Sequence, residues 1–307
     1  MAIELRLLAA GGEVTRYGQG LLAAARQAGM AISLNTGRPW WQKKSEWTIG
    51  LGTPTASRRI DAWIWLNGTG ASAAKFHERP VAVAALYPSP PPGVGVVPFP
   101  VPEAFYAPGD GQRVFDVTKR LHLEQRPRIV MMGPFSDGRG LTQTMTAMVR
   151  LLASGGELVW LEGMSVRAQF APVVSRLGLV DRVIFLPPLT DEETAAVLLG
   201  SDVALLPERQ ESFPYWIPWC HAAGVPVVAV DTASHRLAAG TAAVLADGER
   251  EDGLGNALKE MLSNAFMHRQ LVTRGMNQAE FYRGEKVALA LEDWVSKSRD
   301  EVNSKAP

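Results

Sequence analysis

Six apolar runs of strand length, RIVMMG, ELVWLEG, RVIFLPP, DVALLP, VPVVAVD and AAVLAD, follow one another from residue 127 onward. Between them lie segments such as LTQTMTAMVRLLAS and VRAQFAPVVSRLG, whose apolar residues recur at helical spacing. A strand that is apolar throughout is buried on both faces, and parallel neighbours need a crossover long enough to be a helix. The alternation therefore specifies an α/β unit with a parallel sheet under two helical layers, whose ligand edge is formed by the carboxyl ends of the strands.

The first third carries a weaker version of the same pattern. IELRLLAA reads as a strand, GG as a tight turn and VTRYGQGLLAAARQAG as a helix; MAISL, DAWIWLNG and PVAVAALY read as further strands, with a short helix over 71–78. The stretch YPSPPPGVGVVPFPVPEAFYAPGDGQ holds eight prolines in 26 residues, too many for a helix or central strand, and is expected to supply an edge strand and then the exit from the first unit. These patterns predict a first domain over 1–109, a linker over 110–126, a second domain over 127–283, and a last helical segment over 284–307 that folds back across the boundary.

Composition narrows the function classes. The 307 residues are 47% apolar and 20% charged, the balance of an ordinary globular chain. Cys220 is the only cysteine, so no internal disulfide or thiolate zinc site can form. The histidines at 77, 122, 221, 235 and 268 show no metal-ligand spacing and receive no role. No apolar run approaches the roughly 18 residues of a membrane span, and Glu4 and Arg6 interrupt the start where a secretory leader would be apolar. The expected address is cytoplasmic, with no metal and no nucleic-acid partner. Net charge is zero, but residues 1–109 hold 10 Lys/Arg against 6 Asp/Glu. That excess suits a phosphorylated acceptor or peripheral contact with an anionic membrane face, and is equally compatible with ordinary surface scatter.

Three constellations fall at strand-to-helix turns. Gly11-Gly12, with Arg16 beyond it, is either a plain turn or a seat for a phosphate or sugar against backbone N–H groups. GPFSDGRG at 133–140 superficially resembles a nucleotide-binding phosphate loop, but Gly140 stands where a magnesium-binding hydroxyl would be needed. Arg139 is suited to bidentate contact with phosphate, or is a solvated loop residue. The third is PERQESFPYWIPWCHAAG, in which Glu208 and Glu211 precede a helix expected to start near 214–215 and to end at Gly224. Trp216, Trp219, Cys220 and Ala223 share one helical face, the spacing of a core stripe.

Taken in order, these pieces resemble the retaining, nucleotide-sugar-dependent glycosyltransferases of family 4 (glycosyl transferases group 1). The resemblance is carried by GGEVTRYGQGLLAAARQAG, VPFPVPEAFYAPG, MMGPFSDGRGL, LGLVDRVIFLPPLTDEETAAVLLGSDVALLPERQESF and HAAGVPVVAVD. It implies a GT-B fold, two Rossmann-like domains facing across a cleft with a short N-terminal domain, and a sugar transferase using a nucleoside diphosphate sugar, metal-independent and without cofactor. The acceptor would be a sugar, a lipid-linked glycan or a protein. Glu211 matches the first of two signature glutamates, which binds donor sugar hydroxyls, and Arg139 matches the basic residue on the diphosphate. Gly12 lies in the loop that contacts diphosphate and acceptor, and the N–H groups of Tyr215 and Trp216 would face the diphosphate.

The sequence departs from the pattern at four places. Trp219 stands eight positions after Glu211, where the second glutamate should hold the ribose, and Pro134 replaces an arginine of the phosphate loop. Pro214 replaces a glycine, and Leu86 and Tyr87 stand near the place of a first-domain histidine. Glu208 is the expected substitute for the ribose carboxylate, with Trp219 stacking on the base. The alternative is an inactive glycosyltransferase-like partner in glycan or envelope assembly, with Trp219 as core.

Overall fold

The computed structural model describes residues 3–7, 12–30, 32–35, 47–51, 62–65, 81–85, 95–106, 111–132, 144–146, 148–149, 151–152, 155–209, 214–248, 250 and 252–304. The chain divides into two compact units, residues 1–102 with 281–307, and residues 103–280. The helix expected over 71–78 lies outside the described residues.

The first unit holds six parallel strands in the order β2-β1-β3-β4-β5-β6, namely β1 (Ile3–Leu7), β2 (Ile32–Asn35), β3 (Trp47–Leu51), β4 (Ala62–Trp65), β5 (Val81–Ala85) and β6 (Gly95–Pro98). Strand β6, drawn from the proline-rich stretch, lies at a sheet edge, where a residue without an N–H leaves no ladder bond unmade. Helix α1 (Gly12–Gln27) is fastened to this edge. The buried Tyr17 hydroxyl donates to the Val97 carbonyl at 3.2 Å, and a Cβ at Gly20 would stand 2.7 Å from Pro100 Cγ. The strand β3 is a finding beyond the expected set. WTIGL does alternate, but Gly50 weakens the strand signal and only pairing with β1 and β4 makes it a central strand.

The second unit begins with a 3-10 turn at Glu103–Phe105 and helix α2 (Gly111–Arg120). Its sheet runs in the order β12-β11-β10-β7-β8-β9, again all parallel: β7 (Arg128–Met131), β8 (Glu157–Trp160), β9 (Val183–Phe185), β10 (Val203–Leu206), β11 (Val227–Val230) and β12 (Ala243–Ala246). Helices α3 (Arg167–Arg176), α4 (Asp191–Leu199), α5 (Trp216–Ala222), α6 (Ala233–Ala239), α7 (Gly253–Ser263) and α8 (Ala265–Ala279) complete it. The segment expected as a linker is structured for a plain reason. No proline follows Pro108 until Pro127, so α2 can form, bury Val117 and pack on α4. Thr190 and Glu193 close a capping box at the start of α4, with 3.2 Å and 3.0 Å hydrogen bonds, as the TDEE run allows.

Helix α9 (Gly284–Ser304) returns to the first unit and packs on α1 and β6. Val287, Ala288, Leu291, Trp294, Val295 and Ser298 form its buried stripe. No helix among the described residues is long and apolar enough to cross a membrane.

Candidate donor site

In an open parallel sheet the ligand crevice opens at the carboxyl ends of two adjacent strands whose connections run in opposite directions. In the second unit those strands are β7 and β10: from β7 the chain winds outward through β8 and β9, then returns to β10 and winds the other way. Leu205 pairs with Met131 across this junction, so the segments that follow, GPFSDGRG and PERQESF, leave from adjoining strand ends. In the first unit the same rule selects the carboxyl ends of β1 and β3, and Gly12 is the first residue of α1, the helix that follows β1.

Arg139 and Glu211 lie outside the described residues, as do Pro134, Leu86 and Tyr87. Glu208 is described, two residues beyond the end of β10 and only 8% exposed. The helix expected after it begins at Trp216 and ends at Ala222, with Gly224 in the left-handed region at φ 69°. Tyr215, Trp216 and Trp219 are buried against one another with centroid separations of 4.8, 5.0 and 5.5 Å. Phe105 also packs on Trp219, with ring centroids 4.6 Å apart, and Trp219 is 3% exposed. The sequence stripe of Trp216, Trp219, Cys220 and Ala223 is thus a core face, and burial pushes the Cys220 thiol far above its ordinary range.

Two residues that sequence reasoning passed over also lie at this edge. Arg209 donates through Nη2 to the Gly248 carbonyl, tying the end of β10 to the end of β12. Between them a Cβ at Gly248 would stand 2.8 Å from Val230 Cγ1, so glycine is needed for the close approach. Glu162, at the end of β8, has φ 57°. Neither belongs to a recognisable motif; only the strand order brings them to the edge. Beyond β11, Arg236 holds Asp231 through two hydrogen bonds of 2.5 and 2.7 Å, which lowers the Asp231 carboxyl below its ordinary value.

Helix α5 carries one titratable liability. His221 is 1% exposed, neither ring nitrogen makes a well-formed hydrogen bond among the described residues, and its ring lies against α8, where a Cβ at Gly275 would come within 2.8 Å of Cδ2. Burial depresses its pKa to about 4, with the Ala242 backbone pulling weakly the other way. The unfolded chain, with an ordinary histidine near 6.5, therefore takes up a proton that the folded chain refuses. Stability is fully present above about pH 6.5 and falls as the pH drops toward 4, by about 3 kcal/mol over that window. Denaturant unfolding at pH 7 and 4.5 measures this, and His221→Met is expected to flatten the difference; an equal acid sensitivity in the variant would contradict the assignment.

Residues 126–264 match the family model described as "Glycosyl transferases group 1". Curated relatives include D-inositol 3-phosphate glycosyltransferases from Rhodococcus opacus, 30% identical over 118 residues, and Mycolicibacterium smegmatis, 30% over 116 residues. The first match covers 38% of this chain and the second 37%, but each covers only 26% of the relative, so the chain spans about a quarter of the length of the curated relatives it matches.

Similar solved structures cover nearly the whole chain. A sucrose-phosphate synthase from Thermosynechococcus elongatus has a TM-score of 0.69 at 15% identity over 97% of this chain and 99% of its own. WaaG, a glycosyltransferase involved in lipopolysaccharide biosynthesis, has 0.66 at 12% over 96% and 98%. Anabaena Alr3699/HepE in complex with UDP and glucose has 0.68 at 10% over 97% and 100%. The fold is GT-B. The stretch that matches the Glycosyl transferases group 1 model lies within the second unit.

Proposed function

We propose that the protein moves a sugar from a nucleoside diphosphate sugar to an acceptor, with retention and without a metal. The observation that supports this most directly is the strand order of the second unit. Its switch point lies between β7 and β10, the two strands followed by the Arg139 and Glu211 segments. In this reading the bond from the anomeric carbon to the diphosphate oxygen breaks as the acceptor oxygen bonds to the same face of that carbon. The departing diphosphate takes up the acceptor proton. Arg139 and the N–H groups of Tyr215 and Trp216 offset the charge that develops on the leaving group, and Glu211 fixes the sugar through its hydroxyls. Glu208 contributes a carboxylate to the nucleotide side of the site.

The relatives named for inositol 3-phosphate, and the HepE complex with UDP and glucose, support a sugar, a lipid-linked glycan or a phosphorylated polyol as acceptor and a uridine nucleotide among the donors to be tried. The basic first 109 residues favour an anionic acceptor or membrane face. A second reading, a glycosyltransferase-like partner without catalysis, is favoured by the burial of Trp219 in the place of the ribose carboxylate. A panel of UDP-, GDP-, ADP- and TDP-sugars separates the two. Saturable binding by at least one, with release of its nucleoside diphosphate when an acceptor is present, is expected; no binding to any of them would leave only the partner reading.

A further inference from the structure

The ladder between β10 and β11 ends where Leu206 pairs with Ala229, and Pro207, which has no N–H, cannot extend it. Beyond it come Glu208, a buried carboxylate at the ligand edge, and Arg209, whose Nη2 donates to the Gly248 carbonyl. Gly248 lies just past the end of β12, two strands along the sheet. The arginine side chain therefore reaches over the end of β11, a span of about 10 Å.

The far end of this tie is a fixed point. Asp231 N–H donates to the Ala246 carbonyl at 2.8 Å, which straps the end of β12 to β11. The Val230 carbonyl is bonded by His235 Nδ1 at 2.7 Å, and a Cβ at Gly248 would stand 2.8 Å from Val230 Cγ1 and 3.3 Å from Arg209 Nε. Arg250 N–H donates to the Asp247 carbonyl at 3.4 Å and Gly253 N–H to the Arg250 carbonyl at 3.0 Å, while a Cβ at Gly253 would collide with the Asp247 carbonyl. Glycine at both positions lets the backbone close up this tightly. A hydrogen bond from a charged donor is among the stronger ones, so Arg209 anchors the chain beyond β10 to a rigid turn.

A buried carboxylate is costly to keep, and one that is to meet a ligand binds better when already in place, because ordering it on binding is subtracted from the affinity. We infer that Arg209 is a positioning residue for donor binding: tied to the Gly248 carbonyl, it holds its neighbour Glu208 where that carboxylate meets the nucleotide. The inference rests on the donor reading above. Arg209 acts through Glu208 and need not touch the ligand itself.

The test titrates UDP, GDP and ADP into the full chain and follows the tightest of them through a double-mutant cycle, with the melting temperature of each variant. Glu208→Ala is expected to weaken binding about tenfold, the scale of one lost hydrogen bond to a charged group, and Arg209→Met nearly as much. The two together should still lose about tenfold, because the arginine then has nothing left to hold. Arg209→Lys, which keeps a charged donor for the carbonyl, should restore most of the affinity. Gly248→Ala alters neither charge, displaces the carbonyl and should also weaken binding; it carries the test if Arg209→Met does not fold. A side chain that only stabilised the fold would lower the melting temperature and leave the affinity of the folded protein unchanged. That result, an unchanged affinity in Glu208→Ala, or a loss of about a hundredfold in the double variant would each overturn the role and leave the donor reading standing. A wild type that binds none of the three nucleotides would overturn both.

Discussion

Arg139→Ala is expected to lower sugar transfer by about 100- to 1,000-fold, the loss seen when a group that stabilises developing negative charge is removed from an active site. The effect should be at the upper end because the phosphate loop has Pro134 where the resembling family carries a second cation. Arg139→Lys keeps the charge but loses the planar fork and should recover only part of the rate. Steady-state rates with the best donor, alongside the melting temperature of each variant, measure this. A folded Arg139→Ala protein with an unchanged rate would remove Arg139 from the diphosphate site.

The largest expected effect on stability lies at the opposite end of the sheet. Arg128 and Glu157, at the amino ends of β7 and β8, are 3% and 1% exposed and joined through Nε and Oε1 at 2.5 Å. Each other terminal nitrogen and oxygen of the pair has a partner as well: Nη1 donates to the Gly200 carbonyl at 2.7 Å, Nη2 to the Leu123 carbonyl, and Glu157 Oε2 accepts from Gln125 N–H at 3.0 Å. Removing one partner strands a buried charge, so Glu157→Ala is expected to cost about 3–5 kcal/mol in denaturant unfolding. A volume-matched apolar pair, Arg128→Met with Glu157→Leu, should recover most of it. Gly200 cannot become alanine without the same penalty in kind, since its Cβ would stand 2.9 Å from Arg128 Nη1. Because the pair sits away from the carboxyl ends of the strands, the affinity of the folded fraction for nucleotide should not change. A Glu157→Ala protein as stable as wild type would show that the pair is not the clamp its geometry describes.

The second unit was legible in the sequence because its strands are buried on both faces, and such strands announce themselves as unbroken apolar runs. All six of those runs are strands of one parallel sheet. The first unit was less legible: WTIGL is short, contains Gly50, and owes its central place to pairing with β1 and β4, which no local pattern encodes. Helix α2 was hidden by the proline-rich text immediately before it. At the candidate site, the core character of Trp216, Trp219 and Cys220 followed from their spacing, as their burial shows. Glu162 and Arg209 could not be found that way. One is marked only by its backbone angles and the other only by a carbonyl 39 residues along the chain.

The central claim is that the strand ends of β7 and β10 seat the diphosphate of an activated sugar while the indole of Trp219 stays in the core. A crystal structure of the chain with the nucleoside diphosphate that binds tightest measures this directly. Diphosphate density is expected at those two strand ends, with Trp219 still packed on Phe105. Density at another edge of the sheet, or an indole displaced to make room for the base, would contradict it.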